Sequence, residues 1–502
     1  MTTGLILAVD QGTTNTKALA VDGSGDVVAS ASVPMHVAYP RPGWAEQSAD
    51  DIWTAVTAVV AEVAKSTGPV FDALAISNQR ETIVVWDAET GRPIAPAIIW
   101  QCRRSVDICN AVRDRGHAER VEAKTGLALD PLFPAAKIAW LLDSVGGARS
   151  AAIRGQLRAG TIDSWLLWQL TGGAVHATDH SNASRTQLFN TKTLAWDDEL
   201  GKIFGVPLSL LPEVRSSNSL FGSTRGLAGV ADGIPIHAMI GDSHAALFGH
   251  GVRSSGTVKA TYGTGTSLMT LTDHRTRSRH GLSSTIAWSR SSEISYALEG
   301  NISVSGQAAA FMADMLGLDD ATALAALAST VPDSNGVHFV PALVGLGAPY
   351  WAPDARGLVS GLALGTTRAH LARAAIEAIA FQIADVFAAM EQDLGKPITA
   401  LSADGGASRN DILMQFQADL LGRTVKRGSL AEVSAIGAAM LAADGLGRHW
   451  PANRDTLQTF EPKIGRSERD RRRAGWRDAI DTVLRQAQSG ESAANHKKGE
   501  PT

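Results

Sequence analysis

Two polar turns in this chain carry residue types that bind phosphate groups. In the first, 10–14, a carboxylate, a glycine and two threonines follow an apolar run that predicts a strand. The second, 263–266, alternates glycine and threonine after a similar run. Backbone N–H groups and hydroxyls in such turns can contact phosphate oxygens, and Asp10 can hold magnesium. Each turn alone is also typical of a plain β-hairpin, but a facing pair of turns would bind a polyphosphate from both sides.

A third glycine-rich turn, 404–407, precedes a predicted helix that contains Asn410. The positive end of the helix dipole and the close backbone there can support a nucleotide. Taken alone, the turn is equally typical of a tight strand-to-helix connection.

Asp242 and the pair Arg80 and Glu81 have the chemistry to handle a hydroxyl-bearing substrate. A carboxylate can take the proton of an attacking hydroxyl late in phosphoryl transfer, although Asp242 is equally suited to cap a helix. Arg80 offers a donor fork beside the acceptor Glu81, which suits a vicinal diol, with a surface ion pair as the alternative. The neighbouring triplet 242–244 is no hydrolase triad, because adjacent residues of an extended segment point in alternating directions.

Composition excludes several classes of protein. The 502 residues include 46 basic and 50 acidic side chains, and without a long basic run they do not indicate nucleic-acid binding. The apolar runs are short, so no membrane insertion is expected. The first residues lack the pattern of a secretion signal, which predicts a cytoplasmic protein. The histidines and two cysteines have no zinc-ligand spacing, and P-loop and nucleophile-elbow motifs are absent from the sequence. We therefore expect an enzyme acting on small molecules.

The elements that must position these residues alternate between strands and amphipathic helices, which predicts an α/β fold with a mixed sheet. Ser48 and Asp51 resemble a capping box ahead of a helix over 52–63. The likeness of the two phosphate turns suggests duplicated halves. Further helices are predicted from 366 or 367 towards 390, over 408–421 and over 432–443. The polar, aperiodic segment 489–502 predicts a disordered tail.

Taken together, these residues resemble the FGGY carbohydrate kinases, and within that family the glycerol kinases most closely. The resemblance extends from Asp10 to about Ala479. It rests on segments 10–14, 77–82, 99–104, 178–189, 345–351, 357–377 and 414–417.

The resemblance implies an actin-like fold of two ribonuclease-H-like domains with a nucleotide cleft between them. It places the polyol site and the first phosphate hairpin in 1–249 and ATP binding in 250–488, ahead of the tail predicted from composition in 489–502. It implies transfer of the γ-phosphoryl group of ATP, with Mg²⁺, to a terminal hydroxyl of glycerol or a slightly longer polyol. By the same analogy the protein is expected to be a dimer or tetramer of identical chains.

Carried over position by position, the resemblance makes Asp242 the general base and a substrate contact, and Asp10 the magnesium-associated carboxylate. Arg80, Glu81 and Trp100 correspond to polyol contacts. The nucleotide positions are Thr13, Thr14, Lys17, Thr264, Gly306, Gly406 and Asn410. Lys17 replaces the arginine usual in glycerol kinases, which keeps the charge but loses the donor fork.

Three departures concern the predicted polyol pocket. Leu132, Ser243 and Ser267 stand where similar glycerol kinases carry tyrosine, glutamine and phenylalanine. Smaller side chains with fewer hydrogen-bonding groups favour a longer polyol, unless the pocket repacks around glycerol with water. Ala310 replaces a glutamine that approaches adenine, so base selectivity is expected to be weaker or to come from Gln307.

Two alternatives stay open. One is a kinase of another polyol or ketose, such as a tetritol or xylulose, although the segments 80–81 and 100–104 are of the glycerol-kinase type. The other is a non-catalytic actin-fold protein that binds a metabolite. Such a protein would be expected to lack Asp242 or one of the phosphate turns, and this sequence has them all.

Overall fold

The fold contains two large β-sheets, each built around a strand that ends in one of the polar turns. We describe it from a computed structural model, which covers residues 4–291, 293–428, 432–448, 450 and 457–497. Strands and helices alternate in both halves, which confirms the predicted α/β fold. Among these residues, no helix has the length and apolar character needed to cross a membrane.

The strands of the first half are β1 (Ile6–Gln11), β2 (Asn15–Val21), β3 (Val27–Pro34), β4 (Glu46–Gln47), β5 (Ala73–Asn78), β6 (Ile83–Asp87), β7 (Ala97–Ile98), β8 (Leu157–Thr161), β9 (Ala177–Asp179), β10 (Phe189–Asn190), β11 (Ala195–Trp196), β12 (Glu213–Arg215), β13 (Gly222–Ser223) and β14 (Pro235–Gly241). Its helices are α1 (Ala49–Thr67), α2 (Val106–Asp114), α3 (Ala118–Thr125), α4 (Pro134–Ser144), α5 (Ala148–Ile153), α6 (Ile162–Leu170), α7 (His180–Ala183), α8 (Asp198–Phe204) and α9 (Asp242–Gly249), with a 3₁₀ turn at Leu208–Leu210.

The strands of the second half are β15 (Thr257–Tyr262), β16 (Thr266–Thr272), β17 (Ser283–Arg290), β18 (Glu293–Ile302), β19 (His338–Val340), β20 (Leu358–Ser360), β21 (Ala400–Asp404), β22 (Thr424–Arg427) and β23 (Gln458–Phe460). Its helices are α10 (Gly306–Met315), α11 (Ala321–Ala328), α12 (Arg368–Leu394), α13 (Asp411–Leu421), α14 (Val433–Gly445) and α15 (Arg466–Lys497), with a 3₁₀ helix at Gly406–Arg409.

The two large sheets repeat one topology. The first has the order β13-β14-β5-β1-β2-β3, and the second has β17-β18-β16-β15-β21-β22-β23. In each sheet a central strand, β1 or β15, pairs antiparallel with its hairpin partner on one side and parallel with a later strand on the other. This confirms the expected duplication. The predicted domain boundary at 249/250 falls between the last strand of one sheet and the first strand of the other, and it stays a prediction.

Helix positions follow the capping and apolar patterns of the sequence closely. Ser48 caps α1 by accepting a hydrogen bond from the backbone of Asp51, and the apolar face from Ile52 to Val63 is buried. Helix α12 begins after Thr367 as predicted. Helix α13 starts later than the predicted 408, because the side chain of Asn410 caps it and a 3₁₀ helix occupies the preceding residues.

The last long helix, α15, continues through 489–497, the first part of the tail that was predicted to be disordered. Glutamate and alanine in this stretch have good helix propensity, which polarity and lack of periodicity did not reveal. The remainder of the predicted tail, 498–502, lies outside the described residues.

Helices α9 and α14 pack against each other between the sheets. Helix α14 belongs to the second half in sequence, but it packs on β1, β5 and β14 of the first sheet. The helices approach so closely that a Cβ atom on Gly437 would lie 1.9 Å from the carbonyl oxygen of Ala245. Because α9 begins at Asp242, this contact fixes the position of that carboxylate.

Gly437→Ala is therefore expected to lower the thermal unfolding midpoint by several degrees. The added methyl meets backbone atoms rather than a flexible side chain, so the cost is at the upper end of overpacking, about 3 kcal/mol. Differential scanning fluorimetry measures the shift. The control is Gly146→Ala, where a Cβ atom meets nothing within 4 Å. Equal midpoints for the two variants would contradict the packing of α9 on α14.

Candidate active site

The first polar turn connects β1 and β2 and presents Asp10 at the end of a buried strand. Asp10 lies opposite Lys17 in the hairpin and beside Ser77 in the parallel strand β5. The Ser77 hydroxyl donates a hydrogen bond of 2.7 Å to Asp10 Oδ1. Gly12 makes the turn tight, because its N–H donates to the carbonyl oxygen of Asn15 at 2.9 Å.

The surroundings of Asp10 disfavour the charged form of its carboxyl group. Burial raises its pKa to about 6, and the negative charge of Asp242 acts in the same direction. The Ser77 hydrogen bond and Lys17 lower the pKa but do not cancel the rise. Asp10 and Asp242, from different elements, therefore lie close enough for their charges to interact.

The structure brings Thr13 together with the predicted polyol contact Trp100. Trp100 Nε1 donates to the Thr13 hydroxyl at 2.9 Å, and that hydroxyl donates to Gln79 Oε1 at 3.1 Å. Thr14, the other predicted nucleotide contact in the turn, is exposed. The Thr13 side chain thus braces the turn against Trp100, and its nucleotide role stays a prediction.

Lys17 forms an ion pair with Glu432, the residue just before α14. Their side-chain atoms are 2.6 Å apart, and both side chains are a little over one quarter exposed. The sequence reasoning missed Glu432, whose separation from Lys17 by 415 residues leaves no local signal.

The second polar turn is anchored to the start of α10. The Gly306 N–H donates to the carbonyl oxygen of Gly263 at 3.0 Å, and Ser305 N–H donates to that of Thr264 at 2.9 Å. A Cβ atom on Gly306 would lie 2.5 Å from the Gly263 oxygen, so glycine is required there. Thr264 is exposed at the tip of the turn.

The third turn, after β21, meets the same region. Gly405 has a φ angle of +88°, and a Cβ atom on it would lie 2.6 Å from the carbonyl oxygen of Tyr262, at the end of β15. Gly406 borders open space. The Asn410 Oδ1 atom accepts hydrogen bonds from the backbones of Ile412 and Leu413, so the structure shows this residue as a helix cap. Two of the predicted nucleotide elements, the second and third turns, thus converge at the end of β15.

Asp242 follows β14 directly and opens α9. Its Oδ1 atom accepts hydrogen bonds from Arg80 Nε at 3.0 Å and from the Ser243 backbone at 2.6 Å. Within the described residues, Oδ2 takes part in no hydrogen bond, and the side chain is 37% exposed. One carboxylate oxygen is therefore fixed while the group stays accessible to a small molecule.

Arg80 and Glu81 are part of a buried ion-pair network, not a surface ion pair. Arg80 Nη1 lies 2.6 Å from Glu299 Oε1, and Arg185 contacts Glu81 at 2.6 Å and Glu299 at 2.8 Å. All four side chains are less than one tenth exposed. The sequence reasoning missed Arg185 and Glu299. An available signal was a glutamate directly after the apolar pair Ala297 and Leu298 of β18.

Glu81 has a left-handed backbone with a φ angle of 60°, which is unusual for a residue other than glycine. Lys137 Nζ donates to the carbonyl oxygens of Glu81 at 2.9 Å and Leu132 at 2.7 Å. Burial lowers the pKa of Lys137 to about 7. Strain of this kind persists where surrounding contacts determine the conformation, and it is common at functional sites. Lys137 is a further residue that the sequence reasoning missed.

Comparison with known proteins decides the family. The N-terminal domain of the FGGY family of carbohydrate kinases matches residues 5–249, and its C-terminal domain matches residues 258–445. The chain belongs to the FGGY family of carbohydrate kinases. It is 47% identical to the glycerol kinase of Symbiobacterium thermophilum over 493 residues, covering 96% of this chain and 98% of that one. It is 46% identical to the glycerol kinase of Burkholderia cenocepacia over 485 residues, covering 95% and 97%.

Solved structures of FGGY kinases have the same fold. A crystal structure of Plasmodium falciparum glycerol kinase with ADP superposes with a TM-score of 0.88 at 31% identity, covering 96% of this chain and 98% of that one. Xylulose kinase from Lactobacillus acidophilus superposes with a TM-score of 0.85 at 22% identity, covering 99% and 100%. The two-domain, actin-like architecture expected from the sequence is thus confirmed.

The three departures within this FGGY chain lie around the buried network. The Ser243 hydroxyl donates to that of Ser267 at 3.2 Å, and Ser267 donates to Glu299 Oε1 at 3.0 Å. The Leu132 backbone is fixed by Lys137 and by Asp130 Oδ1. Two short side chains from opposite halves of the FGGY fold therefore meet directly.

The residues around Asp10 fit a magnesium ion held mainly through phosphates. The described part of the chain contains no group of three or more histidine, cysteine or acidic side chains that could hold a metal alone. Magnesium in phosphoryl-transfer enzymes is typically bound by one or two carboxylates together with substrate phosphates and water. Asp10, with a pKa raised by burial, is a carboxylate that a nearby cation would stabilise.

Asp10→Asn is expected to raise thermal stability at about pH 8 and to lose this advantage near about pH 5. Folding raises the pKa of Asp10 from 3.8 to about 6, so the folded chain binds more protons across this interval and loses stability as pH rises through it. Asparagine keeps an acceptor for Ser77 without the charge. Unfolding midpoints of both proteins measured across this pH range test the expectation.

The control variant is expected to show the opposite dependence of stability on pH. Hydrogen bonds from the backbone and hydroxyl of Thr90 lower the pKa of Asp87. Asp87→Asn should therefore reduce stability near neutral pH, and this loss should fade on acidification. A stability gain in Asp10→Asn that stays constant with pH would contradict the electrostatic account.

Proposed function

We propose that this FGGY kinase transfers the γ-phosphoryl group of ATP to a terminal hydroxyl of glycerol. The observation that carries the proposal is the position of Asp242 at the start of α9. Arg80 Nε donates a hydrogen bond of 3.0 Å to Asp242 Oδ1. Asp242 also lies close enough to Asp10 for their charges to interact. The glycerol kinases that are nearly half identical over almost the whole chain support glycerol as the acceptor. Homo-oligomerisation and a cytoplasmic location stay predictions.

In the proposed reaction a glycerol hydroxyl oxygen bonds to the γ-phosphorus while the bond from that phosphorus to the β,γ-bridging oxygen breaks. The hydroxyl proton passes to the carboxylate of Asp242 late in the transfer, and ADP leaves. Arg80 and Glu81 supply a donor and an acceptor for the other hydroxyls, and Trp100 is the remaining predicted polyol contact. Magnesium, held by Asp10 and the phosphates, would neutralise phosphate charge.

The two hairpins and the turn before Asn410 support ATP binding. Thr14 and Thr264 are exposed at the tips of equivalent hairpins in the two sheets. Gly406 borders open space beside the second hairpin, so a nucleotide can approach the backbone there. Lys17 would have to exchange its contact with Glu432 for a phosphate oxygen.

Asp242→Asn is expected to lower kcat with glycerol by about 10³-fold, because the amide cannot accept the proton. The affinity for a non-hydrolysable ATP analogue should change by less than about twofold, since the nucleotide elements are untouched. A coupled ADP-release assay gives kcat, and isothermal titration calorimetry gives the affinity.

Asp107→Asn is the matched control, because Asp107 also lies in the first turn of a helix but is exposed and is not among the predicted site residues. It should leave kcat unchanged. Wild-type turnover in Asp242→Asn would refute the assignment of the base.

A second candidate acceptor is a polyol one carbon longer than glycerol. Ser243 and Ser267 meet as two short side chains, hydrogen-bonded at 3.2 Å, where similar glycerol kinases carry glutamine and phenylalanine. Separation of these hydroxyls would leave room and hydrogen-bonding groups for an additional CHOH unit.

If the longer substrate is used, the wild-type kcat/KM for a tetritol should be within about tenfold of that for glycerol. The double variant Ser243→Gln/Ser267→Phe should shift the preference towards glycerol by about tenfold or more, since it refills the space. The ADP-release assay with glycerol and the tetritols measures both ratios. The control, Ser329→Gln on the exposed end of α11, should change neither, and an unchanged preference in the double variant would exclude this candidate.

A further inference from the structure

Glu299 is a buried carboxylate from the second half whose charged partners both come from the first half. It lies on β18, where its neighbour Leu298 packs into the core of the second half. Because successive side chains of a strand point to opposite faces, Glu299 faces the first half instead. Its side chain is completely buried.

Two guanidinium groups converge on this carboxylate. Arg80 Nη1 is 2.6 Å from one oxygen, and Arg185 Nη2 is 2.8 Å from the other. Both contacts are ion pairs by distance, although neither nitrogen is aligned for a hydrogen bond. The Ser267 hydroxyl also donates to Glu299 Oε1 at 3.0 Å.

The charges of the four buried side chains balance only when the halves are together, although Arg80 also contacts the partly exposed Asp242. Arg80 and Arg185 are buried against Glu81 and Glu299, which gives two positive and two negative side chains. Burial alone raises the pKa of Glu299, but Arg185 and Arg80 reverse this and hold it well below its usual range. Glu299 therefore stays ionised and keeps its attraction for both arginines.

Arg80 links Glu299 to the candidate base, Asp242, because its side chain contacts both. Its Nη1 atom faces Glu299 while its Nε atom donates to Asp242. A guanidinium group is planar and rigid, so fixing one nitrogen fixes the direction of the others. Within the described residues Arg80 Nη2 makes no hydrogen bond, which leaves a donor for a substrate hydroxyl.

We propose that Glu299 is a positioning residue, which orients Arg80 towards Asp242 and the polyol when the two halves of the fold meet. This inference rests on the proposed function of the site. Glu299 does not itself have to touch the substrate, and it gives the second half a direct influence on the polyol site of the first.

Glu299→Gln tests the role, because it keeps the side-chain shape and removes the charge. The kcat/KM for the best polyol should fall about 100-fold, with the KM for that polyol raised at least about tenfold. The KM for ATP should change by less than about twofold, since the phosphate turns are untouched. Glu299→Asp should recover part of the loss because it restores the charge.

A crystal structure of Glu299→Gln gives a readout that does not need activity. We expect the contact between Arg80 Nε and Asp242, 3.0 Å in the native chain, to be lost. If Arg80 keeps its orientation in the variant, the inference is wrong whatever the kinetics show. An inactive wild-type enzyme would instead refute the proposed function, and the structural result would still decide the role of Glu299.

Two further variants separate positioning from stability. Glu293→Gln removes a glutamate from the same strand whose side chain is 78% exposed, and it should leave all kinetic constants unchanged. Arg185→Gln/Glu299→Gln removes one charge of each sign and should recover the unfolding midpoint if the single variant folds poorly. Recovery of the polyol KM together with the midpoint would overturn the proposal, whereas a polyol defect that persists would support it.

Discussion

The candidate site depends on the burial of four charged side chains where the two halves meet. Buried ions are costly unless they are paired, and Arg80, Glu81, Arg185 and Glu299 pair with one another across the halves. The first half alone would bury two arginines against one glutamate, because the second glutamate, Glu299, is supplied by the second sheet. The same network fixes Arg80 on Asp242 and Glu81 in its left-handed conformation. Geometry that a polyol would use is therefore set by contacts that form only in the assembled fold.

Close backbone approach gives the second constraint. Helices α9 and α14 cross where glycine is needed on both, since a Cβ atom on Gly249 or Gly437 would collide with the backbone of the other helix. Gly306 and Gly405 allow α10 and the third turn to touch the end of β15 and its hairpin. The hairpins are consequently held against rigid neighbours at their bases, while Thr14 and Thr264 remain exposed at their tips.

The sequence predicted what is encoded locally. The hairpins, the Ser48 cap, the start of α12 and the end of α13 follow from turn residues and apolar spacing, and the family motifs indicated the two-domain fold. Arg185, Glu299, Lys137 and Glu432 were missed because their partners are distant in sequence. Thr13 and Asn410 lie in the motifs predicted to bind the nucleotide, but their side chains make other contacts in the structure. Thr13 braces a turn and Asn410 caps a helix. Which hydrogen bond a hydroxyl or amide makes is decided by tertiary contacts.

Each of the duplicated sheets has an acid at the corresponding edge, but the surroundings shift the pKa values of the two acids in opposite directions. In the first sheet Asp10 on the central strand lies beside Ser77, and in the second Thr261 on the central strand lies beside Asp404. Burial raises the pKa of both carboxyls, but His250 and Lys259 overcome this at Asp404 and lower its pKa. Lys17 does not do so at Asp10, where it is engaged with Glu432 and the pKa stays raised to about 6. The charge of Asp404 is thus stabilised by Lys259 and by a hydrogen bond with His250, whereas the charge of Asp10 lacks a comparable stabilisation. That asymmetry supports Asp10, rather than Asp404, as the carboxylate that would face a magnesium-bound phosphate.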